Sequence, residues 1–194
     1  MIRCIILFLM VTQLAVSTGC GATVVYVVRH AEKAVDPDVP GDPRLCAAGD
    51  ARAEALIETL TTVENIAAVY STNTQRTRAT VKPLADARGL EVQGYTSSEL
   101  DNLADIIETE HQGKAVIIAG HSNTVHTIIS AFGAEVPEEF EGGTDCNDYD
   151  NLFVVVIKND KATAVALHYG AVSPPDNGEP PVGTQGLPCA WCGS

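Results

Sequence analysis

Short apolar runs alternate along the chain with longer segments in which apolar residues recur at helical spacing. Short runs rich in β-branched residues are typical of strands buried on both faces of a sheet. They predict strands at Thr23–Val28, Ala67–Tyr70, Leu90–Val92 and Ala115–Ala119. Spacings of three and four residues predict the intervening helices, at Ala47–Leu60, Thr77–Ala87, Leu100–Glu110 and Thr124–Phe132. Pro83 is expected to kink the second helix.

The last two apolar runs, Leu152–Ile157 and Thr163–His168, are joined by a short polar connection. This arrangement predicts an antiparallel hairpin. The alternation of strands and helices before it is typical of a mostly parallel sheet. The sequence therefore predicts an α/β three-layer sandwich, in which helices cover both faces of a mostly parallel central sheet with an antiparallel C-terminal hairpin.

The N-terminus has the pattern of a secretory signal peptide, since Arg3 precedes the apolar run Ile5–Val16 and a short stretch of small residues. The run is shorter than the ~20 residues that a membrane-spanning helix needs. We expect a leader at residues 1–19 and one domain at residues 20–170. Residues 171–194 are rich in proline and lack apolar periodicity, so they are interpreted as a disordered or tethered tail.

Cys20 follows Thr18 and Gly19, as in a bacterial lipoprotein box. Lipidation of Cys20 would anchor the protein to a membrane. The alternative is ordinary cleavage near Gly19 or Ala22. Either route predicts an exported protein, in the periplasm or cell envelope.

Export changes the interpretation of the cysteines, because disulfides persist in oxidising compartments. Four cysteines remain beyond the leader, namely Cys46, Cys146, Cys189 and Cys192. Four cysteines can pair into two disulfides in three ways, and the sequence does not choose among them. The C-x-x-C spacing at Cys189 lies at the chain end rather than in a βαβ unit, so we expect a structural role there rather than a redox site.

Charge narrows the choice of partners. The chain has 12 Lys and Arg against 25 Asp and Glu, a net charge of -13. Repulsion from phosphate backbones argues against nucleic acid as a partner. An anionic ligand must therefore be captured by a local group of cations.

Such a local group is expected where the predicted strands end, because ligands of open α/β sheets bind beyond the carboxyl ends of the strands. Three segments lie there: Arg29–Glu32, Ser71–Arg76 and Gly120–Thr124. Guanidinium groups bind phosphoryl oxygens in bidentate fashion, and amides at helix N-termini complete the site. Neutral imidazole is a competent nucleophile near neutral pH. His30 fits that role, with His121 stabilising the transferring group.

These segments, together with Leu45-x-x-x-Gly49-x-x-Arg52, resemble the motifs of the histidine phosphatase superfamily, the phosphoglycerate-mutase-like fold, from about Val24 to Gly170. The resemblance implies a short, exported bacterial phosphatase in which His30 is phosphorylated during turnover. It also implies a phosphate pocket formed by Arg29, Arg76, His121 and Ser122. Neither a metal nor another cofactor is implied. The expected substrate is a phosphomonoester or phosphoramidate, on a small molecule or a phosphoprotein.

Three positions depart from the family pattern. Ala31 replaces a glycine, and Cys46 replaces a threonine that would cap a helix. The resemblance implies Glu99 as the acid that protonates the leaving oxygen, because it follows the third strand where many members carry this residue, although its surroundings do not match their motif. Glu32 and Asp101 are the alternatives. Substrate choice is expected to depend on the loop 36–44 and the insertion 133–150.

Two other functions stay open. Ser122, Asp150 and His168 occur in the order of an α/β-hydrolase triad, with Ser122 between a predicted strand and helix. The other alternative is a non-catalytic envelope protein that binds a phosphorylated ligand in the same pocket.

Overall fold

The computed structural model describes residues 21–173 and 189–190. Its strands are β1 (Thr23–Arg29), β2 (Ile66–Ser71), β3 (Val92–Gly94), β4 (Ala115–Gly120), β5 (Asn151–Lys158) and β6 (Lys161–His168). Its helices are α1 (Ala47–Thr59), α2 (Gln75–Ala87), α3 (Leu100–Glu110) and α4 (Val125–Ala131). The expected leader and most of the expected tail lie outside the described residues. No helix in the described part of the chain is long and apolar enough to cross a membrane.

The strands form one sheet in the order β3-β2-β4-β1-β5-β6. β1 and β2 each pair in parallel with β4, and β2 pairs in parallel with β3. β5 pairs antiparallel with both β1 and β6. The predicted α/β class, with a mostly parallel sheet and an antiparallel C-terminal hairpin, is confirmed.

The hairpin turn has a local cause in the sequence. Its two central residues have positive φ, 53° at Asn159 and 57° at Asp160. Asparagine and aspartate tolerate this left-handed region better than most residues, and such two-residue turns match the twist of paired strands. The turn therefore fixes the register in which Lys158 pairs with Lys161.

Helices cover both faces of the sheet. α3 and α4 pack on one face, where Leu103, Ile107 and Ile128 contact the core side of β1, β2, β4 and β5. α1 and α2 pack on the other face through Leu56 and Leu84. Every residue of β4 is buried, as expected for a central strand between two helical layers.

α2 begins at Gln75, two residues before the predicted start. The Gln75 N–H donates to the Asp42 carboxylate at 2.8 Å, whereas the side chain of the preceding Thr74 makes no capping hydrogen bond. A residue 33 positions away in sequence thus caps the helix, and sequence spacing does not reveal such a cap. α2 runs without interruption through Pro83.

The topology brings the predicted site segments to one edge of the sheet. β1, β4 and β2 are neighbours and parallel, so the segments that follow Arg29, Gly120 and Ser71 leave the sheet together. The His30 N–H donates to the Gly120 carbonyl at 2.9 Å, which extends the pairing one residue beyond β1.

α1 supports the loop after β1 through a close approach and a buried ion pair. A Cβ atom at Gly49 would lie 2.2 Å from the Glu32 carbonyl oxygen, so only glycine fits there. The Arg52 guanidinium donates to both carboxylate oxygens of Glu32, at 2.7 to 3.0 Å, and to the Tyr169 carbonyl at 3.0 Å. The two paired side chains are each 3% exposed.

We expect Arg52→Ala to lower the free energy of unfolding by about 3–5 kcal/mol, because it leaves the Glu32 carboxylate buried without its partner. Lys82→Ala is the control, since it breaks an ion pair with Asp86 in which both side chains are about 60% exposed. That change should lower the free energy of unfolding by less than about 1 kcal/mol. Urea unfolding measures both, and similar losses in the two variants would contradict the structural role of the buried pair.

Candidate active site

His30 lies directly after β1 and is 5% exposed. Its Nδ1 is 2.8 Å from the Ala31 carbonyl oxygen, which can only accept, so Nδ1 carries the proton and Nε2 the lone pair. Burial, together with the positive charges of Arg29 and Arg76, lowers the pKa of His30 to about 2. The ring is therefore neutral near pH 7, in the tautomer that a nucleophile requires.

Arg29, the last residue of β1, is held by the backbone of the loop that precedes β5. Its guanidinium donates to the carbonyls of Asp145, Cys146 and Asp148, at 2.5 to 3.2 Å. It also lies 4.0 Å from the centre of the Tyr149 ring, a cation–π geometry. The side chain is thus fixed in place before any ligand arrives.

Arg76 enters the site from the first turn of α2. Its Nη1 lies 3.5 Å from a carboxylate oxygen of Asp42, and its side chain is 17% exposed. The Nε–H groups of Arg29 and Arg76 are both buried and find no hydrogen-bond partner among the described residues. Buried donors without a protein partner are available to an acceptor on a ligand.

His121 follows β4 and faces His30, with ring centroids 5.5 Å apart in an edge-to-face arrangement. Its Nε2 is hydrogen-bonded to the Thr72 hydroxyl at 2.9 Å, and the backbone N–H of His121 donates to Thr124 Oγ1 at 2.9 Å. Burial, with smaller contributions from Arg76 and Arg29, lowers the pKa of His121 to about 4. Both imidazoles of the site are consequently neutral near pH 7.

These residues line a cavity of about 600 Å³. Five predicted site residues share it: Arg29, His30, Arg76, His121 and Ser122. Its remaining lining is Lys33, Ala34, Val35, Asp36, Pro37, Pro40, Pro43, Asn123, Cys146, Tyr149 and Ala190. Burial, Arg76 and Arg29 lower the pKa of Lys33, whose amino group adds a third cation to the site.

The three acids considered from the sequence lie elsewhere. Glu99 is exposed, accepts a hydrogen bond from the Thr96 hydroxyl at 2.6 Å, and lines a separate depression with Tyr70 and Tyr95. Glu32 is bound to Arg52, as described above. Asp101 is exposed in the first turn of α3. None of the three lines the cavity that contains His30.

The serine-hydrolase residues are not brought together at the cavity. Ser122 lines it, but Asp150 and His168 do not. Asp150 instead lies 3.4 Å from Nδ1 of His168 and accepts a hydrogen bond from Ser173.

One disulfide joins Cys46, the residue that precedes α1, to Cys189. The sequence left three ways to pair the four cysteines, and the structure has the one that includes Cys46–Cys189. Cys146 is also disulfide-bonded. Cys189 forms a β-bridge with Ala34, and the Ala190 N–H donates to the Lys33 carbonyl at 2.8 Å. Ala190 thereby forms part of the cavity wall.

The two substituted positions are accommodated. Ala31 is fully buried, its φ is not positive, and its N–H donates to Thr80 Oγ1 at 2.8 Å, so glycine's freedom is not needed there. Cys46 makes no side-chain cap hydrogen bond, as expected, because its sulfur is in the disulfide.

Sequence reasoning missed several residues of the site. Thr72 lies inside the segment Ser71–Arg76 and Lys33 directly follows Arg29–Glu32, so position and chemistry together could have indicated both. Asp42 and Tyr149 reach the site only through tertiary contacts with Arg76 and Arg29. Asp36 begins the loop expected to choose the substrate, but nothing in its spacing marked it as a cavity residue.

The site makes stability depend on pH. A histidine has a pKa near 6.5 in an unfolded chain, whereas the pKa of His30 in the folded protein is about 2. Protons therefore bind the unfolded state preferentially, and this contribution to stability is present above pH 6.5 and lost as pH falls below it. We expect the pH-dependent fall between pH 7.5 and 5.5 to be smaller in His30→Asn, by on the order of 1 kcal/mol. Urea unfolding in phosphate-free buffer checks this, and identical pH profiles would contradict it.

Comparison with known proteins agrees with this geometry. Residues 25–101 match the sequence profile of the histidine phosphatase superfamily (branch 1). No curated protein sequence matches the chain significantly.

Similar solved structures include a protein histidine phosphatase, SixA, complexed with tungstate. It is 14% identical, with a TM-score of 0.57 over 75% of this chain and 96% of that one. An alpha-ribazole phosphatase from Shigella flexneri is 15% identical, with a TM-score of 0.57 over 78% and 99% of the two chains. A phosphoserine phosphatase from Entamoeba histolytica, with phosphoserine bound, is 12% identical, with a TM-score of 0.53 over 76% and 96%. The domain thus has the fold of the histidine phosphatase superfamily, and residues 25–101 carry the sequence profile of its branch 1.

Proposed function

We propose that the protein is a phosphatase that hydrolyses a phosphomonoester or phosphoramidate through a phosphohistidine on His30. One observation carries the proposal. A neutral imidazole with a free Nε2 lone pair shares a cavity with two guanidinium groups, each of which has a buried, unpaired Nε–H.

Charge supports a phosphoryl ligand. The chain carries a net charge of -13, yet Arg29, Lys33 and Arg76 line the same cavity. A phosphoryl group brings the acceptor oxygens that the unpaired guanidinium N–H groups lack. The fixed position of Arg29 means that little reorganisation is needed when this charge arrives.

The reaction has two steps. The His30 Nε2 lone pair attacks phosphorus in line, and the bond from phosphorus to the leaving group breaks. Arg29, Arg76 and His121 offset the charge on the three equatorial oxygens. Water then attacks the phosphohistidine, which returns the electron pair to Nε2 and releases inorganic phosphate.

The substrate is a phosphorylated small molecule or a phosphoprotein. The names of the structural neighbours support both classes, since they include a protein histidine phosphatase and a phosphoserine phosphatase. The cavity of about 600 Å³ is much larger than a phosphoryl group and leaves room for the leaving group.

We expect His30→Ala to lower the hydrolysis of p-nitrophenyl phosphate by at least about 10³-fold, because it removes the nucleophile. His126→Ala is the matched control, since His126 lies on α4 and does not line the cavity; it should keep wild-type activity. Wild-type protein, but not His30→Ala, should acquire acid-labile radioactive phosphorus.

Other outcomes would point to the alternatives. Phosphate binding without turnover would indicate a non-catalytic phospho-ligand-binding protein. Loss of activity in Ser122→Ala, with no phosphoenzyme in the wild type, would indicate a serine hydrolase.

Inorganic phosphate and vanadate are expected to compete with substrate. Arg76→Ala should raise their inhibition constants about 10- to 100-fold, since a hydrogen bond to a charged group contributes about 1.5–3 kcal/mol. Lys82→Ala, on the exposed side of the same helix, should leave the inhibition constants unchanged. Equal inhibition of Arg76→Ala and wild type would exclude Arg76 from the phosphate site.

We also propose that the protein is exported to the periplasm or cell envelope. The leader-like pattern of residues 1–19 supports export, and so do the disulfides, which persist in oxidising compartments. Anchoring through a lipidated Cys20 is the membrane-bound form of this proposal. Mass spectrometry of the mature N-terminus distinguishes an acylated Cys20 from simple cleavage.

A further inference from the structure

The proposed reaction leaves one chemical requirement without a residue. When the P–O bond of an alkyl phosphomonoester breaks, the leaving oxygen carries the electron pair and needs a proton. Glu99, Glu32 and Asp101 do not line the cavity that contains His30. Among the described residues, Asp36 is the one carboxylic acid in its lining.

Asp36 belongs to a loop that is anchored at its base. The Ala34 N–H donates to the Arg44 carbonyl at 2.9 Å, and Lys33 forms a β-bridge with Leu45. Ala34 also pairs with Cys189, which the disulfide ties to α1. The base of the loop is therefore held between two neighbouring segments, two residues before Asp36.

The far end of the loop is anchored as well. Asp42 binds the first turn of α2 and the guanidinium of Arg76. Pro37 and Pro40 restrict the backbone between these two ends and line the cavity with Asp36. The loop thus presents Asp36 from a supported backbone rather than from a free tip.

The Asp36 side chain is partly ordered by its own loop. Its Oδ1 accepts the Asp38 N–H at 3.1 Å. No protein hydrogen bond within residues 21–173 and 189–190 engages Oδ2. The half-buried carboxyl group therefore keeps one oxygen for a ligand while the other fixes its orientation.

We propose that Asp36 is the general acid and base of this site, and that alkyl phosphomonoesters are the substrates it serves. This rests on the proposed phosphatase function. In the first step, Nε2 of His30 forms a bond to phosphorus and the P–O bond breaks. The leaving oxygen takes the proton of the Asp36 carboxyl group, which yields the free alcohol, phosphohistidine and an Asp36 carboxylate.

In the second step, the carboxylate takes a proton from water as the water oxygen bonds to phosphorus. The N–P bond breaks, its electron pair returns to Nε2, and inorganic phosphate leaves. Asp36 is then protonated again, so the cycle balances without a co-reactant.

The test compares Asp36→Asn with wild type on two substrates, glycerol 3-phosphate and p-nitrophenyl phosphate. Alkoxide leaves poorly without a proton, whereas nitrophenolate leaves readily. We expect Asp36→Asn to lower kcat/KM for the alkyl ester about 10²- to 10⁴-fold. For the aryl ester kcat/KM should fall less than about threefold. Because kcat/KM covers only the steps up to loss of the leaving group, slow hydrolysis of phosphohistidine does not mask the difference.

Two variants sharpen the comparison. Asp105→Asn removes the same charge from an exposed position on α3, outside the cavity lining, and should leave both values unchanged. Asp36→Glu restores a carboxyl group and should recover part of the alkyl activity. Equal losses on both substrates in Asp36→Asn, or no alkyl hydrolysis by the wild type, would overturn the role of Asp36. Aryl hydrolysis that survives His30→Ala would instead overturn the phosphohistidine route through His30 on which the proposed function rests.

Discussion

The parallel pairing of β1 with β4, continued by the hydrogen bond from the His30 N–H to the Gly120 carbonyl, underlies the site. It places the residue after one strand beside the residue after the other, so that two imidazoles 91 positions apart lie with ring centroids 5.5 Å apart. β4 also pairs with β2, which brings in Thr72 and the start of α2. No single segment of the chain supplies more than a part of this arrangement.

A second set of contacts keeps the loop after β1 in position. The Ala31 N–H is bound by Thr80, and Glu32 is bound by Arg52. The absence of a side chain at Gly49 lets α1 approach the Glu32 backbone. Motif residues that do not line the cavity therefore act on it indirectly, by holding the loop after β1 in position. The same burial keeps the His30 ring neutral, so the packing that stabilises the domain also sets the protonation state of this imidazole.

Much of the fold followed from periodicity, because buried strands and amphipathic helices leave a strong local pattern, as in Ala115–Ala119 and Leu100–Glu110. The grouping of the residues at the strand ends was also predictable, since topology alone brings them together. Side-chain contacts between distant segments could not be predicted from the sequence. The capping of α2 by Asp42 and the stacking of Arg29 on Tyr149 join distant segments. Glu99 sits near the start of α3 as expected, but its side chain lines a different depression.

The contacts of Asp42 limit how the sequence of its loop can change. Its carboxylate caps the first turn of α2 and contacts Arg76, while other residues of the same loop, from Val35 to Pro43, line the cavity. Exchanging that loop for one of different shape, without an acceptor at the same point, would disturb the start of α2 and the position of Arg76 together. The shape of this loop and the position of Arg76 are thus linked through one side chain, and variation in the loop is constrained to sequences that preserve it.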